Sequence, residues 1–230
     1  MNFQEGEILC FDKPYRWTSF DVVGRIRRLL CRKMGVKKLK VGHAGTLDPL
    51  ATGVLIVCTG RATKQIESLQ AGTKEYVATL RLGATTPSFD LEKPIDATYP
   101  TDHITRELVE KALEAFKGEI QQIPPTVSAC KVDGKRAYEM ARKGKDVELK
   151  PKTLIIDEIE LLDCSLPDIT IRVVCSKGTY IRALARDLGE ALGNGAFLHS
   201  LRRTRIGDFK IEDSLSVDEA LNVLGQKNQA

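Results

Sequence analysis

Nowhere in the 230 residues does an apolar run approach the roughly 18 needed to cross a bilayer as a helix. No transmembrane helix is therefore expected. The opening M-N-F-Q-E-G-E has no basic segment followed by an apolar one, so no secretory signal is expected and the reading is cytoplasmic. Six cysteines are present: Cys10, Cys31, Cys58, Cys130, Cys164 and Cys175. None forms a C-x-x-C pair or a zinc-type spacing. Most lie in apolar stretches such as L-I-V-C, where a reduced thiol behaves as a small hydrophobe. The glycine-rich stretch has no G-K-[ST] ending, which rules out a phosphate-cradling P-loop. There are no internal repeats, no low-complexity segments and no metal or cofactor constellation, so neither metal nor cofactor is expected.

What remains has the composition of a globular protein, 42% hydrophobic and 29% charged. The formal charge of +4 permits a polyanionic partner without requiring one, so the placement of cations matters more than their sum. The densest stretch is G-H-A-G-T-L-D-P-L-A-T-G, Gly42 to Gly53, followed at once by the apolar run Val54 to Cys58. Glycines at this density serve positive φ or close approach. Pro49 disfavours helical geometry at Asp48. A rigid loop mounted on a buried strand can present one reactive acid. The same residues also fit an Asx-type turn in which Asp48 bonds only its own backbone.

Glu7 to Asp12 reads as a strand stopped at Pro14. Thr18 and Asp21 form a capping box opening a helix whose apolar stripe is Phe20, Val23, Ile26 and Leu30. Its remaining face and tail carry Arg25, Arg27, Arg28, Arg32, Lys33, Lys37, Lys38 and Lys40, a run that suits a solvated face or a phosphate backbone. A short helix is expected over 62–69, with Lys64 in its first turn against the dipole. Lys74 to Leu82 alternates as a half-buried strand, with Tyr76, Ala78, Leu80 and Leu82 on one face. A loop follows to Pro100, and an amphipathic helix spans Thr105 to Phe116. Gln121 to Pro125 breaks the pattern. Val127 to Val132, an Asp133–Gly134 turn and a helix from Arg136 to Lys143 make a basic hairpin-plus-helix. Strands at 154–162 and 169–175, a helix entered at Ser176 to Arg182, a strand at 199–205 and a helix capped by Ser216 complete the chain. The elements do not alternate as regular βαβ units. The expected fold is α+β with a mixed or antiparallel sheet.

Three separated pieces resemble the signature motifs of TruB-type tRNA pseudouridine synthases: Gly42 to Gly53, G-T-K-E-Y-V at Gly72 to Val77, and S-K-G-T-Y-I-R-A-L at Ser176 to Leu184. D-K-P at Asp12 to Pro14, G-R-A-T-K at Gly60 to Lys64, Q-I-P-P at Gln122 to Pro125 and L-R-R at Leu201 to Arg203 agree, in one consistent order from about residue 7 to 205. The resemblance implies the pseudouridine synthase fold with flanking helices. The implied reaction isomerises uridine 55 in the T-loop of tRNA, without cofactor. Asp48 would be the essential carboxylate, as nucleophile or as base. Tyr76 would stack on the flipped uracil, and Arg182 would pair with Asp48 and keep it ionised. His43, Lys64, Tyr180, Leu201, Asp90 and Lys13 would meet the substrate. The glycines would let backbone and RNA approach closely around Asp48. The block 121–152 resembles a basic RNA-clamping insertion on a single catalytic domain, 1–230, with no C-terminal PUA domain. The implied partner is the tRNA T-arm, with no membrane and no obligate protein partner; a monomer is expected. A tRNA-binding or folding module with secondary catalysis is the alternative. Two departures stand out. The family's K-P-x-G-x-[ST]-S is K-P-Y-R-W-T-S here, so with Arg16 for glycine the turn is expected to take another conformation. The family's T-D-T-x-D-x-x-G is T-P-S-F-D-L-E-K at Thr86 to Lys93, which keeps only Asp90 of its two acids and loses the glycine.

Overall fold

The computed structural model describes residues 1–125, 131–132, 135–136 and 149–225. The chain falls into two compact units, Met1–Tyr76 with Leu201–Ala230, and Val77–Ser200. The strands pair in a mixed, mostly antiparallel manner, and the fold is α+β.

In the first unit, β1 (Ile8–Lys13) leads into α1 (Ser19–Met34), and β2 (Val41–Ala44) and β3 (Ala51–Thr59) form a hairpin. A 3-10 turn, Gly60–Gln65, precedes α2 (Ile66–Ala71). β3 lies between antiparallel β1 and the parallel end of β12 (Ala196–Ile206), with Leu201 opposite Ala51 and Arg203 opposite Gly53. Both faces of β3 are covered. Leu55 and Val57 pack with Val22, Val23, Ile26 and Leu30 of α1 and with the C-terminal helix Val217–Gly225; Val54, Ile56 and Cys58 pack with Ala62, Ile66 and Ile206. That double burial explains the unbroken apolar run.

α1 starts as its chemistry dictates. Asp21 Oδ2 accepts from Thr18 N at 2.8 Å, and Asp21 N donates to Thr18 Oγ1 at 3.1 Å. The apolar stripe needs one correction: Val22 is fully buried and Phe20 is 66% exposed. Ser19 and Val22 of the same turn are buried, so Phe20 lies off the buried face of the helix. Lys64 also moves, since the 3-10 turn holds it and the α-helix begins only at Ile66. The loop around Asp48 is shorter than expected, because β2 and β3 take up both of its ends.

In the second unit, β4 (Lys74–Leu82), counted here from Val77, adjoins β11 (Asp168–Cys175), then β10 (Lys152–Ser165) and β7 (Gly118–Gln122). The expected face of β4 is buried at Ala78, Leu80 and Leu82. β5 (Ala84–Thr85) and β6 (Ala97–Thr98) pair within the segment read as loop. Gln121 and Gln122, where the sequence predicts a break, are strand, paired with Thr153 and Lys152. Pairing from β10 outweighs their weak local preference. α3 (Arg106–Glu114) is capped by Thr105 and lies against β10, and α4 (Ile181–Ala191) buries Leu184 and Leu188. Of the basic block, β8 (Lys131–Val132) pairs with β9 (Lys135–Arg136), so Arg136 is strand where a helix start was expected. Residues 126–130, 133–134 and 137–148, which hold the remainder of the predicted helix, lie outside the described residues. The remaining elements are β13 (Phe209–Lys210), β14 (Leu215–Ser216) and α5 (Val217–Gly225) in the first unit.

Candidate active site

Asp48 sits in the bend Gly45–Leu50 between β2 and β3, and the carbonyls of that bend are taken one after another. Arg203 donates through Nη2 to Gly45 O at 3.0 Å, through Nη1 to Thr46 O at 3.5 Å and through Nε to Val54 O at 2.9 Å. Ser19 Oγ donates to Leu47 O at 3.1 Å and accepts from Leu47 N at 2.9 Å. Ala51 N donates to Asp48 O at 3.1 Å. Pro49 O accepts from Arg16 N at 2.8 Å and from Lys13 Nζ at 3.3 Å. Each such bond contributes about 0.5–1.5 kcal/mol, and together they hold the carboxylate's backbone in one geometry.

Lys13 is fully buried. Its ammonium also donates to Pro14 O at 3.0 Å and Trp17 O at 2.6 Å, which employs all three N–H donors on main-chain carbonyls. Its geometry is that of a loop support rather than of a substrate contact. Burial pushes its pKa down to about 8, the Asp48 charge opposing and the Arg203 charge adding.

The glycines have a different use from the one expected. A Cβ at Gly53, where φ is 104°, would meet Arg203 O at 2.2 Å, and one at Gly42 would meet the Ile66 side chain at 2.8 Å. They admit the protein's own strands and helix, with Gly45 at φ 93° supplying the turn. Arg16, where the family pattern has glycine, has left-handed backbone at φ 66°.

The other first-unit candidates are placed simply. His43 is half-buried on β2 opposite Val57, and Leu201 lies opposite Ala51, three positions beyond Asp48. Tyr76 is 8% exposed on β4, and Lys64 is exposed. A cavity of about 330 Å³, lined by Asp12, Lys13, Trp17, Thr52, Arg202 and Ser216 among others, does not include Asp48. Two of its charged groups pair with each other, Arg202 holding Asp12 at 3.2 and 2.7 Å.

In the second unit, Arg182 opens α4 and is 5% exposed. Its Nε lies 3.7 Å from Asp90 Oδ2, and its Nη1 donates to Ser88 O at 3.4 Å. Asp90, 4% exposed, therefore acts on Arg182. Phe89 between them has φ 60°, and its ring lies 5.0 Å beneath the Arg186 guanidinium. Tyr180 is fastened by Gln122, whose Oε1 accepts from Tyr180 N at 2.9 Å and whose Nε2 donates to Tyr180 O at 3.2 Å.

Ser19, Gln122 and Arg203 were assigned no role in the sequence reading, although Gln122 and Arg203 stand inside quoted motifs. Their partners are backbone atoms, and a backbone partner leaves no mark on residue spacing.

Residues 31–181 match the family model described as TruB family pseudouridylate synthase, N-terminal domain, and residues 182–229 match that of the tRNA pseudouridylate synthase B C-terminal domain. The chain belongs to the TruB family of pseudouridylate synthases. A protein named tRNA pseudouridine synthase B from Phocaeicola vulgatus is 73% identical over 227 residues, covering 99% of this chain and 97% of that one. One of the same name from Mycobacterium bovis is 48% identical over 216 residues, 92% and 70% of the two chains. Among solved structures, a Cbf5–Nop10–Gar1 complex matches with TM-score 0.73 and 31% identity over 96% of this chain. An H/ACA RNP bound to a substrate RNA containing 2′-deoxyuridine matches with TM-score 0.69 and 29% identity over 98%. The chain spans 54% and 57% of the length of those two solved chains.

Proposed function

We propose that this TruB-family protein converts uridine 55 in the T-loop of tRNA to pseudouridine. The observation that supports it most is the bend carrying Asp48, held at every carbonyl from Gly45 to Pro49, in a chain so similar to proteins named tRNA pseudouridine synthase B. The reaction breaks the bond between ribose C1′ and uracil N1, turns the base, joins C1′ to C5, and takes the proton from C5 while N1 gains one. It is an isomerisation with no net oxidation.

The target nucleotide leaves its stack at a cost of a few kcal/mol. Asp48 acts on the sugar, either as nucleophile or as the base that removes a sugar proton, and both routes need its ionised form. Arg182 is assigned to pair with Asp48 and keep it so, and Asp90 to hold Arg182 from behind. Tyr76 stacks on the uracil and takes part in the late proton transfer. Leu201 packs on the base, His43 and Tyr180 meet the flipped nucleotides, and Lys64 meets a phosphate. The exposed cations Arg25, Arg28 and Arg32 share one helix face suited to the phosphate backbone, as does the block 121–152. We place the reaction in the cytoplasm, on one catalytic domain.

The test is pseudouridine mapping on an unmodified tRNA transcript. Wild type should modify a single T-loop uridine, and Asp48→Asn should give none. Equal product from the two proteins would overturn the reading.

A further inference from the structure

Arg16 is one of two non-glycine residues with left-handed backbone among those described, and it stands where the family pattern has glycine. Such a conformation persists only when surrounding structure imposes it, and its presence asks for a use. Here the bond from Arg16 N to Pro49 O imposes it, next to Asp48. The side chain is exposed and makes no ion pair among the described residues; its Cζ lies 5.5 Å from the centroid of the Tyr15 ring, itself 49% exposed. A second exposed ring follows. Phe20 is 66% exposed with Arg27 Cζ 5.9 Å from its centroid, and Arg27 is anchored by Nη2 to Val41 O at 2.9 Å. Phe20 adjoins Ser19, whose hydroxyl holds Leu47. Each ring is thus tied by a neighbouring residue to the bend that carries Asp48. Exposed rings backed by guanidinium groups are the chemistry that receives unpaired bases and their phosphates.

We propose that Tyr15–Arg16 and Phe20 form a stacking subsite for unpaired nucleotides that flank the target uridine. The inference rests on the functional reading above and adds a binding subsite to it.

The test measures dissociation constants of an unmodified T-arm RNA hairpin across a salt series. Arg16→Gly should raise the melting temperature by about 2–4 °C, because the backbone strain is relieved. The same change should weaken binding by about 5- to 10-fold and lower the salt slope by about one. Tyr15→Ala and Phe20→Ala should each weaken binding by about 5- to 50-fold. The double variant Tyr15→Ala/Arg16→Gly should lose less than the product of the single effects, as a stacked pair does. Arg106→Ala, which removes one cation from α3, controls for net charge and should leave the slope within about 0.3 of wild type. If wild type binds the hairpin and forms pseudouridine while the three variants bind within about two-fold of it, the subsite is overturned and the functional reading stands. An equal loss in Arg106→Ala also overturns the subsite. If wild type neither binds nor modifies the RNA, the functional reading itself falls, and the subsite with it.

Discussion

Arg203, 1% exposed, directs its guanidinium at main-chain carbonyls on both sides of Asp48. A lysine there would keep the charge but not the planar fork that reaches Gly45 and Thr46 in the bend and Val54 in β3 together. Arg203→Lys is expected to lower the single-turnover rate by about 100-fold, since a shift near 1 Å in a reacting group has that effect. Binding of tRNA should stay within about two-fold. An equal loss in a core variant of matched melting temperature would reduce Arg203 to a stability role. Lys13 adds a pH dependence. Its folded pKa, about 8, lies below the ordinary value of 10.5. Between those values the unfolded chain binds the proton and the folded chain does not. This group's contribution to stability therefore rises with pH through that window and is least below pH 8. The same deprotonation removes one of the ammonium's three donors from the carbonyls around the bend. The rate should show a falling limb near pH 8, and Lys13→Arg should lack it because a guanidinium does not titrate there. A wild-type rate that stays level well above pH 8 would contradict this role.

At the scale of elements, β3 is covered on both faces and carries near its start a glycine, Gly53, with no room for a side chain. Gly53→Ala places a Cβ at 2.2 Å from Arg203 O on a backbone of φ 104°. It is expected to cost about 2–4 kcal/mol and to disturb the neighbouring clamp as well. Ile26, fully buried in α1, should cost about 2–5 kcal/mol as Ile26→Ala, read from urea melts, without changing the rate of the folded fraction. The strands β1, β3 and β4 and the helices α1, α3, α4 and α5 are legible in the chain, because apolar runs, period-2 and period-3.6 patterns and the Thr18 and Ser216 caps are local signals. β7 was not legible. Gly118–Gln122 carries little β preference, and only its partner β10 makes it a strand. Phe20 was misread for a related reason. At about 100° per residue Phe20 stands roughly 120° from Ile26, at the edge of the stripe, and tertiary packing turns Ser19 and Val22 of that turn inward instead.

At the scale of the whole molecule, the net charge of +4 is small and the distribution decides its effect. Arg25, Arg28 and Arg32 stand exposed on one side of α1, with Lys37, Lys38 and Lys40 exposed just beyond its end. Reversing Arg25, Arg28 and Arg32 to Glu together should weaken tRNA binding strongly at low salt and flatten the salt dependence by roughly three in slope. An unaltered slope would remove that face from the RNA contact. The proposed enzyme should also act on an isolated T-arm hairpin, measured by site-mapped pseudouridine formation.

Composition, periodicity and ordered motifs were enough to determine an α+β chain of the TruB family and to single out Asp48, Tyr76 and Arg182 as residues to mutate. Those features are written in residue types and spacings. Which groups hold Asp48 was decided by tertiary structure alone. Arg203 comes to Gly45 and Thr46 only because β12 runs parallel beside β3, and Lys13 comes to Pro49 only because β1 runs antiparallel on its other side. Both donate to backbone carbonyls, which every residue carries. Nothing in the order of side chains could have marked which carbonyls would be met, and folding supplied the choice.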